Sequence, residues 1–304
     1  MRRGVRLAGS ALLIALFVWV FGSVDVASRL RGISAGWVAV GVGFLLAQTV
    51  VMAMRWRLVA RCLDIGFPLG WAIREYLISQ FVNTTLPGGV VGDGARAVRS
   101  KVGPGGLKRA ALVVVCERAL GQAGLIVVGV GGLIWAAIAP EAFAWPEARV
   151  RYAAIANVLI IAALGLGALV LRGGRIGAIV AECLPTARVR IAHGVLSVSA
   201  ALLNVAAFAA CARATGVALP LQAILVIVPL VLTAMIIPVG VAGWGWREGA
   251  AAALFPLAGA SSAAGVAAGI VFGIAIMIAV LPAVPFLLWR SPRPVPDATA
   301  PEPG

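Results

Sequence analysis

Runs of about twenty mostly apolar residues recur from one end of this chain to the other, with no polar stretch between them long enough to make a soluble domain. Twenty such residues in a helix cover the roughly 30 Å of a hydrocarbon core. Only 12% of the 304 residues are charged, against about 25% in soluble domains. A soluble globular fold is excluded, and the sequence predicts an all-α polytopic membrane protein. Six spanning helices are expected, at about Leu7–Phe21, Gly36–Met54, Ala119–Ala139, Ala153–Leu171, Ile191–Ala212 and Ala263–Leu288.

The flanks of these segments set an orientation. Arg2, Arg3, Arg6, Arg55, Arg57, Arg61, Arg74, Arg96, Arg99, Lys101, Lys108, Arg109, Arg172, Arg175, Arg188, Arg190, Arg290 and Arg293 gather on one side, 18 of the 25 basic residues. That side is expected to be the cytoplasm, with both termini in it. The formal charge of +14 then reports cytoplasmic loops and anionic lipid rather than nucleic acid. The basic, apolar start resembles a signal peptide but offers no good cleavage site before Arg29, so it reads as an uncleaved first helix. Cys62, Cys116, Cys183 and Cys211 stand singly, away from the only histidine, His193, so no disulfide framework, metal site or cofactor is expected. His193 reads as an interfacial or packed residue.

Two stretches do not fit simple spans. Leu69–Leu86 carries Arg74, Glu75, Ser79, Gln80, Asn83, Thr84 and Thr85 and runs into Pro87-Gly88-Gly89, while Leu221–Ile237 ends at Pro238-Val239-Gly240. Broken backbone at membrane depth is tolerable only when buried in protein or lining a watery cavity. Each stretch reads as one arm of a re-entrant hairpin. The two breaks also align at an offset of 151, with Pro87 on Pro238, Gly89 on Gly240, Gly92 on Gly243, Gly94 on Gly245 and Arg96 on Arg247. Upstream, Arg61, Gly66, Pro68-Leu69 and Ala72-Ile73 answer to Arg213, Gly216, Pro220-Leu221 and Ala223-Ile224. Residues 36–101 and 191–254 are therefore expected to be inverted repeats within one transmembrane domain, 1–290, followed by a disordered Pro-rich tail, 291–304. Inverted repeats of broken helices point to a transporter-type site near the midplane.

Ionisable groups inside a membrane are costly, so each is a functional candidate. Asp93 and Arg96 follow the first break, Arg247 and Glu248 follow the second, and Glu117-Arg118 interrupt an apolar run. Glycines admit a ligand close to the backbone, and a phosphate between Arg96 and Arg247 is the expected guest. Asp93 either caps a helix starting at Gly94 or faces the ligand. Glu117 is expected to pair with Arg96 or Arg247, and Arg118 with Asp93 or Glu248. Arg99 reads as a surface contact to lipid headgroups. Trp244 and Trp246 either stack on the guest or mark an interface. No nucleophile with a base and no nucleotide-binding loop is apparent.

Arg55-Trp56 with Leu58, the run Asn83-Thr84-Thr85-Leu86-Pro87-Gly88 to Gly92-Asp93 and Arg96, the pair Glu117-Arg118, and Gly243-Trp244-Gly245-Trp246-Arg247-Glu248 together resemble the lysylphosphatidylglycerol synthase transmembrane family, the flippase-like domain proteins. The resemblance implies a bacterial inner-membrane protein that moves an anionic lipid, such as phosphatidylglycerol or an aminoacylated derivative, between leaflets. It carries the family's motif positions onto Asn83, Pro87, Gly92, Asp93, Arg96, Glu117, Arg118, Gly243, Gly245, Arg247 and Glu248. The soluble aminoacyl-transferase domain of the bifunctional synthases is not among these residues, so synthase activity is not implied. The alternative is a membrane-embedded transferase or accessory acting on a polyprenyl-phosphate or glycolipid, with Asp93 or Glu117 as base. A scaffold for lipid synthesis is a third reading. Expected partners are membrane lipids, with a second copy of the chain or a separately encoded lipid-modifying enzyme besides.

Overall fold

The computed structural model describes residues 23–86, 89–101, 106–138, 181–235 and 243–288, and every regular element among them is a helix. In chain order these are α1 (Ser23–Arg31), α2 (Ala35–Cys62), α3 (Leu69–Thr85), α4 (Val91–Arg99), α5 (Gly106–Ile138), α6 (Ala187–Ala214), α7 (Leu221–Ala234), α8 (Trp246–Leu254), a 3-10 turn (Phe255–Ala258), α9 (Ser262–Val280) and α10 (Ala283–Leu288). Four are long and apolar enough to cross a membrane: α2, α5 over Gly106–Ala136, α6 and α9. They answer to four of the six expected spans. The other two, at Leu7–Phe21 and Ala153–Leu171, lie outside the described residues, as do Pro87, Pro238, Gly240 and the tail 291–304.

The helices overrun their apolar stretches. Beyond Met54, α2 continues through Arg55, Arg57 and Arg61, and α5 begins well before Ala119, at Gly106. Arginine, lysine and glutamate are good helix formers, so charge does not end a helix. The expected single span Ala263–Leu288 is instead divided at Leu281-Pro282, where proline has no N–H to continue the ladder.

The repeat is visible as architecture. A long helix, a short loop, a shorter helix, a glycine break, a nine-residue helix and a spanning helix occur in that order twice, as α2–α5 and as α6–α9. The loops close identically. The amides of Leu63, Asp64 and Ile65 donate to the carbonyls of Ala60, Arg61 and Ala60, and those of Thr215, Gly216 and Val217 donate to Ala212, Arg213 and Ala212. Asp64 and Gly216 take the left-handed conformation, at φ 56° and 80°. The partner of Gly216 is therefore Asp64 and not the expected Gly66, because the shared constraint is a helix-ending backbone turn rather than a residue type.

The helices that open the two units, α2 and α6, run antiparallel. The Ser34 amide donates to the Ala214 carbonyl at 3.0 Å, and at the other end Arg55 reaches Ser197 at 3.4 Å. This opposed direction is what inverted repeats require of their first helices. Small residues bring the backbones together: a Cβ at Gly124 of α5 would lie 2.4 Å from the Ser197 carbonyl oxygen of α6. Aromatic clusters fill each half, with Trp56, Phe67 and Trp71 in the first and Phe208, Phe255 and Phe272 in the second.

Candidate functional site

The first break is held by side chains from α3. Gly89 has φ +64°, and α4 begins at Val91 rather than near Gly94. The Gly92 amide donates to Asn83 Oδ1 at 2.7 Å. A Cβ on Gly92 would stand 2.1 Å from the Ser79 carbonyl oxygen, so α3 and α4 touch backbone to backbone there. Asn83 therefore satisfies an amide at the start of α4, and Asp93, already the third residue of that helix, does not cap it. Its carboxylate serves the charges instead.

Those charges form one network across four helices. Arg55 Nη2 of α2 donates to Glu117 Oε1 of α5 at 2.6 Å, and the Tyr76 hydroxyl of α3 donates to the same oxygen at 3.1 Å. Arg96 Nη2 of α4 lies 3.2 Å from Glu117 Oε2 and 3.2 Å from Asp93 Oδ1, and the Ser79 hydroxyl donates to Asp93 Oδ1 at 3.1 Å. Arg118 pairs with the remaining oxygen of Asp93. The Arg96 guanidinium is stacked on Trp56 and Tyr76, 4.6 and 4.3 Å from their ring centroids. Three guanidinium groups thus share two carboxylates, leaving one positive charge in excess among the described residues of this cluster. Arg99 turns aside to pair with buried Glu75, so it is not simply a surface contact.

In the described part of the second break, the charged groups pair with each other. Gly243 and Gly245, at φ 74° and 90°, make a turn that delays α8 to Trp246 and puts Arg247 in its first turn, whereas Arg96 is well inside α4. Arg247 Nε donates to Glu248 Oε1 at 3.0 Å, and Glu248 Oε2 accepts from the Gly245 amide at 2.6 Å. Trp244 stacks under Arg247 at 4.8 Å, so its ring serves the protein's own cation.

A cavity of about 770 Å³ lies between the two units, within the roughly 300–1,000 Å³ of ligand sites. The first unit lines it with polar groups, among them Thr49, Ser79, Gln80, Asn83 and Thr84, and with Asp93 and Arg118 as the only charged side chains among the described residues. The second unit supplies a mostly apolar wall that includes Leu232, Met235, Phe272 and Ile276. The cavity is therefore amphiphilic. Of the residues expected at the site, Asn83, Gly89, Asp93, Gly94, Arg118 and Gly243 line it. Arg96, Glu117, Arg247 and Glu248 are 0% exposed behind its walls, and Gly92 and Gly245 serve packing and the turn. The side chain of Arg118, by contrast, is 45% exposed.

Arg55 and Tyr76 complete the network, and the sequence had not singled them out as site residues. Arg55, 1% exposed, resembles one more basic flank next to Arg57 and Arg61. Its only distinguishing signal was the Arg55-Trp56 pair.

Fold and site together define a multi-pass helical membrane protein, with two similarly ordered sets of helices around an amphiphilic cavity and a charge network beside it. A family model described as the lysylphosphatidylglycerol synthase TM region matches residues 5–283, and the chain belongs to that family. The membership ties it to lipid modification or flipping. Neither the comparison with curated proteins nor that with solved structures finds a match.

Proposed function

We propose that this protein translocates a lipid with a singly charged phosphodiester headgroup between the leaflets of a bacterial inner membrane, with both termini in the cytoplasm. The observation that carries this reading is Arg118. It is the only cation among the described residues lining the cavity, and it belongs to a cluster with one uncompensated positive charge. In a low-dielectric setting such a cluster is most stable with one anion added. A phosphodiester supplies that charge and accepts paired N–H donors from a guanidinium. Asp93 holds Arg118 when the site is empty, and Arg55, Arg96 and Glu117 act behind it as positioning residues. Arg247 and Glu248 hold the second break in shape rather than meeting the lipid. The apolar wall of the second unit takes the glycerol backbone and upper acyl chains, and rocking of one unit on the other exposes the headgroup to either side.

The test is leaflet exchange of fluorescent phosphatidylglycerol in liposomes holding the purified protein, followed by external quenching. Losing one charge-assisted hydrogen bond of about 1.5–3 kcal/mol, Arg118→Gln is expected to slow exchange by about ten- to a hundredfold. Exchange at the unaltered rate by a correctly inserted Arg118→Gln protein would refute the assignment.

A further inference from the structure

Three amide side chains enter the same cavity from three different spanning helices: Gln48 of α2, Gln122 of α5 and Asn204 of α6. Each sits near the middle of its helix and each is half-buried. None is hydrogen-bonded to another described residue. Primary amides at mid-membrane depth are costly unless a polar partner meets them, so three converging on one cavity form a lining with unmet hydrogen-bonding capacity.

Their chemistry restricts the guest. An amide offers two N–H donors and a carbonyl acceptor, which a hydroxyl answers on both counts because it donates and accepts. An ammonium only donates, and it would leave the amide N–H groups unanswered. It would also need a carboxylate, and the one among the described lining residues, Asp93, already accepts from Ser79, Arg96 and Arg118. A quaternary ammonium would need free aromatic faces. Of the lining aromatics, Tyr76 is stacked against Arg96 and Phe272 lies beside Arg247. Gln122 follows Arg118 by four residues and so lies one turn further along the same face of α5, roughly 6 Å away. A glycerol or inositol headgroup whose phosphate is on Arg118 spans that interval.

We infer that Gln48, Gln122 and Asn204 select a hydroxyl-bearing headgroup, a polyol phosphodiester rather than an amine. The inference rests on the reading of Arg118 as the phosphate site.

The experiment is displacement of fluorescent phosphatidylglycerol from the full-length protein in phosphatidylcholine nanodiscs. The competitors are phosphatidylglycerol, phosphatidylinositol and phosphatidylmethanol, the last having the same single charge and no hydroxyl. The two polyol lipids are expected to displace the probe at concentrations about five- to tenfold lower than phosphatidylmethanol. Gln122→Leu combined with Asn204→Leu is expected to bring phosphatidylglycerol to the level of phosphatidylmethanol without changing the latter. Equal displacement by all three lipids on the unaltered chain overturns the headgroup selection and leaves Arg118 as the phosphate site standing. Failure of the probe to bind above a phosphatidylcholine background overturns both. The comparison on the unaltered chain is decisive whether or not the double variant folds.

Discussion

Glu117 is the keystone of the charge network, and removing its charge tests the charge balance directly. Its carboxylate is 0% exposed and accepts from Arg55 at 2.6 Å, from Tyr76 at 3.1 Å and from Arg96 at 3.2 Å. Glu117→Gln leaves three guanidinium groups facing the single carboxylate of Asp93, so the excess rises from one positive charge to two. Breaking a buried pair from one side costs about 3–5 kcal/mol, because the orphaned charge stays buried. Adding Arg55→Met removes one of the stranded cations and returns the excess to one. Arg96 then keeps Asp93 at 3.2 Å and its two aromatic faces. The double variant is therefore expected to lose only about 1–2 kcal/mol, less than Glu117→Gln alone, since replacing both members of a buried pair is often close to neutral. Equilibrium unfolding in mixed micelles of detergent and SDS reads these differences, and the two single variants with the double complete a thermodynamic cycle. A double variant as unstable as Glu117→Gln, or less stable, would refute the argument from charge balance.

Two further outcomes follow from local geometry. Gly92→Ala is expected to cost about 1–3 kcal/mol or more and to loosen the α3–α4 hairpin, because its Cβ would meet the Ser79 carbonyl oxygen at 2.1 Å and backbone cannot yield easily. Gly94→Ala, two residues on with nothing within 4 Å, is expected to be neutral or to gain about 0.5–1 kcal/mol of helix propensity, and equal effects in an unfolding assay would sink the distinction. The Cys116 and Cys183 sulfurs lie 3.1 Å apart, so mild oxidation in the folded state should form a disulfide linking α5 to the segment before α6. Loss of two sites from a maleimide count after denaturation reports it; a full count of free thiols after oxidation contradicts the placement.

What the sequence made legible was what short segments decide. Apolar length marked α2, α5, α6 and α9 as spans, Pro and Gly marked both breaks, and charge inside apolar runs marked Asp93, Arg96, Glu117, Arg118, Arg247 and Glu248. What stayed hidden depends on contacts between distant residues. Arg55 meets Glu117 across 62 positions, and a basic residue at the end of an apolar run looks the same whether the helix ends there or continues, as α2 does. Arg96 and Arg247 look like ligand groups in sequence because their burial is set by rings from other elements, Trp56 and Tyr76 for one and Phe272 for the other. Gln48, Gln122 and Asn204 gave no signal, since single amides in apolar helices are unremarkable until the helices bring them to one cavity.

The distribution of bonds between the two units bears on how they could move. The buried or half-buried ion pairs Arg55–Glu117, Arg96–Asp93, Arg96–Glu117, Arg99–Glu75 and Arg118–Asp93 all close within the first unit, and Arg247–Glu248 closes within the second. Had any of these crossed the cavity, separating the units would break a buried pair at about 3–5 kcal/mol. Instead the first unit is tied together across α2 to α5, while the second carries its cation and carboxylate on adjacent residues. The polar contact from the network to the second unit is the Arg55–Ser197 hydrogen bond, at 3.4 Å among the weakest in the molecule. Apart from the uncharged amide of Asn204, the described far wall of the cavity is mostly apolar side chains, which slide past a neighbour without leaving a charge unpaired. Charged chemistry concentrated in one unit and an uncharged, mostly apolar wall on the other is the arrangement in which a bound phosphate keeps its partner while access to it changes.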